Sequence, residues 1–177
     1  MANFDAFLKI GDIKGESLDD KHKDEIDVLS FSWGMSQTGV SATGGGGGAG
    51  KVHVHDFTIV KKVDKSSPLL MLNCANGAHI KEASFVVRKA GGTQLEYLKI
   101  KLTDVLVSSY KPGIIAILIG LLRPAADAAQ KGDEIPVEEV TLNFAKIEFS
   151  YQPQSADGKA QGGPILAGWD VKANQKV

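Results

Sequence analysis

The sequence holds a single cysteine, Cys74, so it can close no disulfide within the chain and can build no zinc or redox site that needs several thiolates. It has no excess of either charge: 20 basic residues face 21 acidic ones, and a net charge of -1 supplies no field to gather phosphates. Nucleic acid is therefore not an expected partner. Long apolar runs are missing too, since the longest, Gly113 to Leu122, is about half of the roughly 20 residues that a membrane helix requires. The start of the chain carries no cleavable secretory signal, because Asp5 and Lys9 interrupt its apolar residues in an alternating pattern. Export, if it occurs, must use a route that does not read an N-terminal signal.

The usual catalytic signatures are absent as well. No serine sits in a G-x-S-x-G elbow, and Cys74 falls in an apolar helical pattern, where a thiol is inert packing. The glycine run GGGGGAGKV is not a phosphate loop, because it lacks the spaced first glycine and the Lys-Ser/Thr pair and is followed by a strand pattern instead of a helix. The one suggestive cluster is HVHD at His53 to Asp56. Two histidines two apart on a strand can set their imidazoles side by side for a metal, but Asp56 belongs to the other face and no close third ligand completes a set. A metal-dependent enzyme built on His53 and His55 is thus the weak alternative, and the expectation is a protein with no cofactor, no resident metal and no catalytic residues. His22 and His79 lie in polar contexts that read as surface.

What is present is strand pattern. The 177 residues, 43% of them hydrophobic, are enough for one domain with a real core. Phe4, Ala6, Leu8 and Ile10 alternate at strand period, with Phe7 the exception. The polar GDIKGESLDDKHKDE reads as a surface loop. Next, IDVLSFSW sets Leu29, Phe31 and Trp33 against Ser30 and Ser32, which predicts a strand with one bulky face and one small, polar, wet face. In KVHVHDFTIVKK, His53, His55, Phe57 and Ile59 share one face, and Val52, Val54, Asp56 and Thr58 share the other. SSPLLMLNCANG predicts a short helix with Ser67 as cap, Pro68 in first place, a stop at Asn76 and Gly77, and Leu70, Met71, Cys74 and Ala75 on one face. Further strands follow in IKEASFVVRK, QLEYLKIKL, EVTLNFAKIEFSY and GPILAGWDVK. Two of them switch face, near Thr103 and Asp104 and again between Phe144 and Ala145, which predicts bulges. Long, bulged strands of this kind suit a barrel or a strongly coiled sheet.

Two stretches break the pattern. Gly34 to Gly50 offers almost nothing to pack, so it reads as a flexible loop or as an arm ordered by a neighbouring subunit. Its residues Gly34, Met35, Gln37, Val40 and Gly46 are candidates for subunit or ring contact. From Gly113 to Lys131, the chain carries the uncharged Ile114, Ile115, Ile117, Leu118, Leu121 and Leu122, followed by a possible helix after Pro124. This insertion could pack on the body, travel as an appended passenger, or rest on a membrane surface; it is the only stretch with such membrane potential.

The segments FLKIGDIKGES, HKDEIDVLSFSWG, GGGGGAGKV, DKSSPLLML, EYLKIKLTDVLVSSY, VTLNFAKIEFSYQPQ and GWDVKANQKV together resemble the haemolysin-coregulated protein (Hcp) family, the tube protein of bacterial type VI secretion. The resemblance implies a mainly β fold, a two-sheet barrel with one flanking short helix, formed by residues 1–177 as a single domain. It also implies hexameric rings stacked into a tube, effector proteins carried in the lumen, and a contractile sheath and spike as partners. The implied route runs from the bacterial cytoplasm to the outside without a cleavable signal. On this reading, Ser30 and Ser32 become candidates for the lumen wall. The family generally crosses between strands with a short polar link where this chain has its apolar insertion. A monomeric small barrel that binds partners through the insertion is the alternative.

Overall fold

The computed structural model describes residues 4–37, 51–89, 94–113, 136–155 and 158–177. Its frame is a long antiparallel pair, β8 (Glu96–Pro112) and β9 (Val137–Tyr151), in register from Leu98 opposite Tyr151 to Pro112 opposite Glu138. On the far edge of β8 follow β7 (His79–Lys89), β1 (Phe4–Ile10) and the short β2 (Ile26–Asp27). The far edge of β9 is shared: its first half pairs with β6 (Phe57–Lys62), which carries β3 (Ser30–Ser32), and its second half pairs with β10 (Ile165–Asp170), which carries β11 (Gln175–Lys176). A separate two-stranded ribbon joins β4 (Met35–Ser36) to β5 (His53–Val54).

The fold is mainly β, with one helix, α1 (Ser67–Asn76), among the described residues. The expected two-sheet barrel is met only to that extent. The ladders form one branched nine-stranded sheet and do not close into a ring. The approach to closure is the segment from Ile26 to Ser32, which starts on β1 and ends on β6. Val28 N–H donates to Ala6 O (2.9 Å), and the next residue, Leu29, donates to Val60 O (2.8 Å). This change of partner also shifts the buried face: Val28 is buried and Leu29 is exposed, whereas the sequence pattern put Leu29 inside with Phe31 and Trp33.

The inward face holds Leu8, Ile10, Ile26, Ile59, Ile100, Leu102, Val140 and Leu142 around three phenylalanines. Phe31 lies 4.6 Å from Phe85 and Phe57 lies 5.2 Å from Phe85, centroid to centroid, at the tilted angles that aromatic pairs prefer. Both predicted face switches are present, but without the bulges expected there: the register of β8 on β9 runs unshifted through Asp104 and Ala145 and shifts only between Val107 and Ser109. Ile100 and Leu102 are buried on one parity, and Val105 and Val107 on the other, with Asp104 between them in the left-handed region (φ 55°). In β9, burial passes from Val140, Leu142 and Phe144 to Ile147. Gly15 is fixed by space, since a Cβ there would stand 2.4 Å from Glu25 O.

Phe7, the exception to the first alternation, is buried on the opposite side of β1. The His22 ring stacks on it at 4.3 Å and the Arg88 guanidinium lies 4.9 Å from its centroid. His22 is therefore buried, not on the surface. Its Nδ1 meets Glu25 Oε2 at 2.8 Å, and its Nε2 faces Glu96 Oε1 at 3.3 Å as an ion-pair contact without hydrogen-bond geometry. Arg88 in turn pairs with Asp5 and Asp19.

The helix ends at Gly77 in the left-handed conformation (φ 64°), as a C-terminal glycine allows. Ser66, not Ser67, stands at the cap position, and neither hydroxyl caps the helix: that of Ser66 donates to Asp64, and that of Ser67 is used elsewhere. Only Leu70 of the expected face is fully buried, Cys74 is half-buried, and Met71 and Ala75 are exposed. What ties the helix down is polar. The fully buried Lys61 ammonium donates to Glu138 Oε1 (2.7 Å), Asp64 Oδ1 (2.8 Å) and Lys62 O (2.8 Å), with Ser67 Oγ at 3.2 Å. Ser67 Oγ donates to Glu138 Oε1 (2.8 Å), and Tyr110 OH donates to Glu138 Oε2 (2.7 Å).

Three outcomes follow from this packing. Glu138→Leu removes the fully buried counter-charge of the Lys61 ammonium, leaving it Asp64, and should cost about 3 kcal/mol in urea unfolding, while Lys61→Met combined with Glu138→Leu should recover most of that loss. Burial, joined by the adjacent Glu138 carboxylate, pushes the Tyr110 phenol up to about 12. The unfolded chain ionises near 10, so this contribution to stability is intact below about pH 10 and is lost as pH rises through about 12. Unfolding free energy should therefore fall across that window, and it should fall less steeply in Tyr110→Phe. Finally, the chain leaves β8 at Gly113 and returns to β9 beside it, with Gly113 N–H donating to Val137 O (2.8 Å). Replacing Ile114 to Lys131 by a short glycine-rich turn should keep the circular dichroism and the cooperative melt. Loss of both would make that stretch part of the core.

Candidate assembly surfaces

The face of the sheet turned away from the core carries a continuous polar row. Register sets Ser32 of β3 opposite Thr58 of β6, Thr58 opposite Thr141 of β9, and Thr141 opposite Ser109 of β8. The Thr58 and Thr141 hydroxyls lie 3.4 Å apart. Beside this row, Asp56 accepts from Ser108 Oγ (2.6 Å) and from Asn143 Nδ2 (2.7 Å), which spends the carboxylate that sequence pattern had separated from the two histidines. The next row on the same side sets Ser30 opposite Val60, Val60 opposite Glu139, and Glu139 opposite Lys111, with a 2.9 Å ion pair between the last two. Ser30 and Ser32 are exposed, and Phe31 between them packs on Phe57 and Phe85.

Sequence pattern named the two serines and placed Asp56 and Thr58 on the face opposite the histidines. It did not name Thr141, Asn143, Ser108 or Ser109. Their signal was available in the alternation of β9, where Thr141 and Asn143 interleave with Val140, Leu142 and Phe144. Only the register shows that the polar positions of four strands fall side by side.

The glycine-rich stretch begins and ends in the ribbon. Met35 pairs with Val54 and Ser36 with His53, and His55 N–H donates to Gly34 O (2.9 Å). Gly34, Met35 and Gln37 thus stand at the root of an antiparallel excursion, with Met35 exposed. Val40 and Gly46 lie outside the described residues, as do Ile114, Ile115, Ile117, Leu118, Leu121, Leu122 and the helix expected after Pro124. His53 and His55 are both exposed, with ring centroids 4.8 Å apart. Among the described residues, no group of three or more histidine, cysteine or carboxylate side chains is placed to hold a metal.

Two apolar surfaces were not anticipated. On the outer side of α1, Leu69, Met71 and Leu72 are 45%, 51% and 52% exposed. On β10, Ile165 and Leu166 are 63% and 71% exposed on its two faces, and the exposed Val177 lines the same surface as Leu166. Elsewhere, Asp104 accepts from Lys172 and meets His79 Nδ1 at 2.7 Å, and these two partners hold its carboxyl below the usual range. His79 is an exposed residue, as its polar context implied. No helix among the described residues is long and apolar enough to cross a membrane.

Comparison with known proteins gives one consistent answer. Residues 7–151 match the family described as type VI secretion system effector, Hcp. Protein hcp1 of Pseudomonas aeruginosa is 49% identical over 171 residues, covering 96% of each chain. The crystal structure of Hcp1 from Salmonella typhimurium superposes with a TM-score of 0.73 at 36% identity, covering 99% of both chains. A structure titled as a type six secretion system protein reaches a TM-score of 0.83 at 28% identity, covering 98% of this chain and 99% of its own. With its branched sheet, single described helix and sequence matched over most of its length, this chain belongs to the Hcp family of type VI secretion proteins.

Proposed function

We propose that this chain is a structural tube component that assembles as hexameric rings, which stack into a tube and carry effector proteins in the lumen. Residues 1–177 act as one domain in this reading, and the chain passes from the bacterial cytoplasm to the outside. The contractile sheath and the spike of the secretion apparatus are its further partners. The observation that carries the reading is the polar row of Ser32, Thr58, Thr141 and Ser109.

A lumen wall must let different passengers slide. Small neutral hydroxyls offer hydrogen bonds that water can replace, no apolar patch to trap a partly unfolded cargo, and no strong field to select one charge. The charges beside the row are already engaged: Asp56 by Ser108 and Asn143, and Glu139 and Lys111 by each other. The ring itself needs buried apolar area between copies, on the order of 1,200 Å² or more per stable contact. Leu69, Met71 and Leu72 on one element and Ile165 and Leu166 on another provide exposed apolar groups for it. In this reading the stretch that follows the exposed Met35 serves as the contact to a neighbouring copy. No residue in this reading has a catalytic role.

Size-exclusion chromatography with light scattering should give six copies per particle, and negative-stain images should show rings with a central pore. A monomer at high concentration would favour the alternative of a small binding module. Ser32→Trp narrows the proposed lumen and should reduce co-purification of cargo several-fold while the particle mass stays hexameric. Rings that dissociate on this substitution would put Ser32 in a subunit contact and refute the assignment of the face.

A further inference from the structure

His53 and His55 have no part in the tube reading, yet their geometry is specific. They sit two apart at the root of the ribbon, both exposed, with ring centroids 4.8 Å apart and planes inclined at 65°. Apart from their contact with each other, neither imidazole makes a side-chain hydrogen bond or ion pair among the described residues. That sets them apart from His22 and His79, whose Nδ1 atoms meet Glu25 and Asp104 at 2.8 and 2.7 Å. Their backbones are held: His53 pairs with Ser36 across the ribbon, and His55 N–H bonds Gly34 O.

We infer that His53 and His55 form a two-imidazole chelate for a borderline divalent transition-metal ion at the root of the glycine-rich arm. Metal–imidazole bonds of about 2.0–2.1 Å place two rings on one ion with centroids roughly 4.5–5.2 Å apart at coordination angles between square and tetrahedral. The spacing in this chain falls inside that range before any ion is bound. Exposed rings can turn about their last torsion to aim a nitrogen at a shared point without disturbing the core, and the fixed backbones mean that little ordering remains to be done on binding.

The donor set decides which ions fit. Two nitrogens suit copper(II), nickel(II) and zinc(II), with copper the strongest, and they offer nothing to calcium or magnesium, which need oxygen ligands. Asp56 is not an additional ligand, because Ser108 and Asn143 hold both its oxygens. With two protein ligands, the other positions fall to water, so the ion exchanges freely and contributes no folding energy comparable to a closed structural site.

The test uses the untagged full chain and copper(II) as the probe. Equilibrium dialysis should give about one copper per chain at neutral pH, and the electron paramagnetic resonance spectrum should show coupling to two imidazole nitrogens. His53→Asn and His55→Asn should each weaken binding about tenfold or more. The double variant should lose this copper, while His79→Asn should leave it unchanged. A wild-type spectrum with one coupled nitrogen, or a double variant that binds as tightly as the wild type, overturns the inference. The wild-type spectrum decides the matter even if a variant fails to fold.

Discussion

A lysine ammonium with no exposed surface has to be neutralised where it stands, and the arrangement around Lys61 shows how much of this fold that requirement organises. The charge belongs to β6, its main counter-charge Glu138 to β9, the second acceptor Asp64 to the turn before α1, Ser67 to the first turn of that helix, and the phenol closing the other carboxylate oxygen to Tyr110 of β8. Three strands and the helix therefore meet at one carboxylate. A buried pair of this kind is weak evidence for net stability, because desolvation offsets most of its attraction, but it tolerates few geometries. The helix needs that restriction. Apart from Ser67, the side chain it buries fully is Leu70, and a single leucine cannot by itself set the rotation of a ten-residue helix on a sheet.

The same network explains what was and was not legible in the sequence. The helix, its proline and its glycine stop could be read from local rules, because capping chemistry depends on neighbours in the chain. The expected capping bond is not made: Ser66 stands at the cap position without one, its hydroxyl donating to Asp64, and the Ser67 hydroxyl is bound to Glu138, a residue 71 positions away. Sequence pattern assigned Lys61 no role, although it continues the parity of Phe57 and Ile59. Nothing in its own neighbourhood announces a partner 77 positions away. The outward turn of Met71 and Ala75 has the same origin, since the polar tether, not apolar periodicity, sets which face of the helix meets the sheet.

His22 was missed for a different reason. A loop as polar as the one from Gly11 to Glu25 reads as solvent-exposed, and most of it is. But Phe7 breaks the alternation of β1 and leaves a ring on the side away from the core. Burying that ring requires a flat cover, which the imidazole provides at 4.3 Å with its plane nearly parallel. The anomaly in one strand was the visible half of this contact, and the histidine that answers it lies 15 residues on. Alternation placed Ala6, Leu8, Ile10, Phe57 and Ile59 inside and Ser30 and Ser32 outside, as they stand, but it failed where the chain changes partner: Leu29 is exposed, and His53 and His55, grouped by pattern with Phe57 and Ile59, are exposed on the separate ribbon.

The polar row and the apolar core are consequences of one register. In a sheet, a slip of one residue exchanges the two faces completely, so Thr141 and Ser109 are outside only because Val140, Leu142 and Val107 are inside. Strands of 17 and 15 residues cannot hold one parity along their whole length while the sheet coils. The left-handed Asp104 and the shift between Val107 and Ser109 reset the parity of β8, and the change between Phe144 and Ile147 resets that of β9. Without the shift beside Ser108, either Val107 would leave the core or Tyr110 could not reach Glu138. That shift thus keeps the buried charge network closed at one end of the sheet, and the small hydroxyls fall into line on its other face.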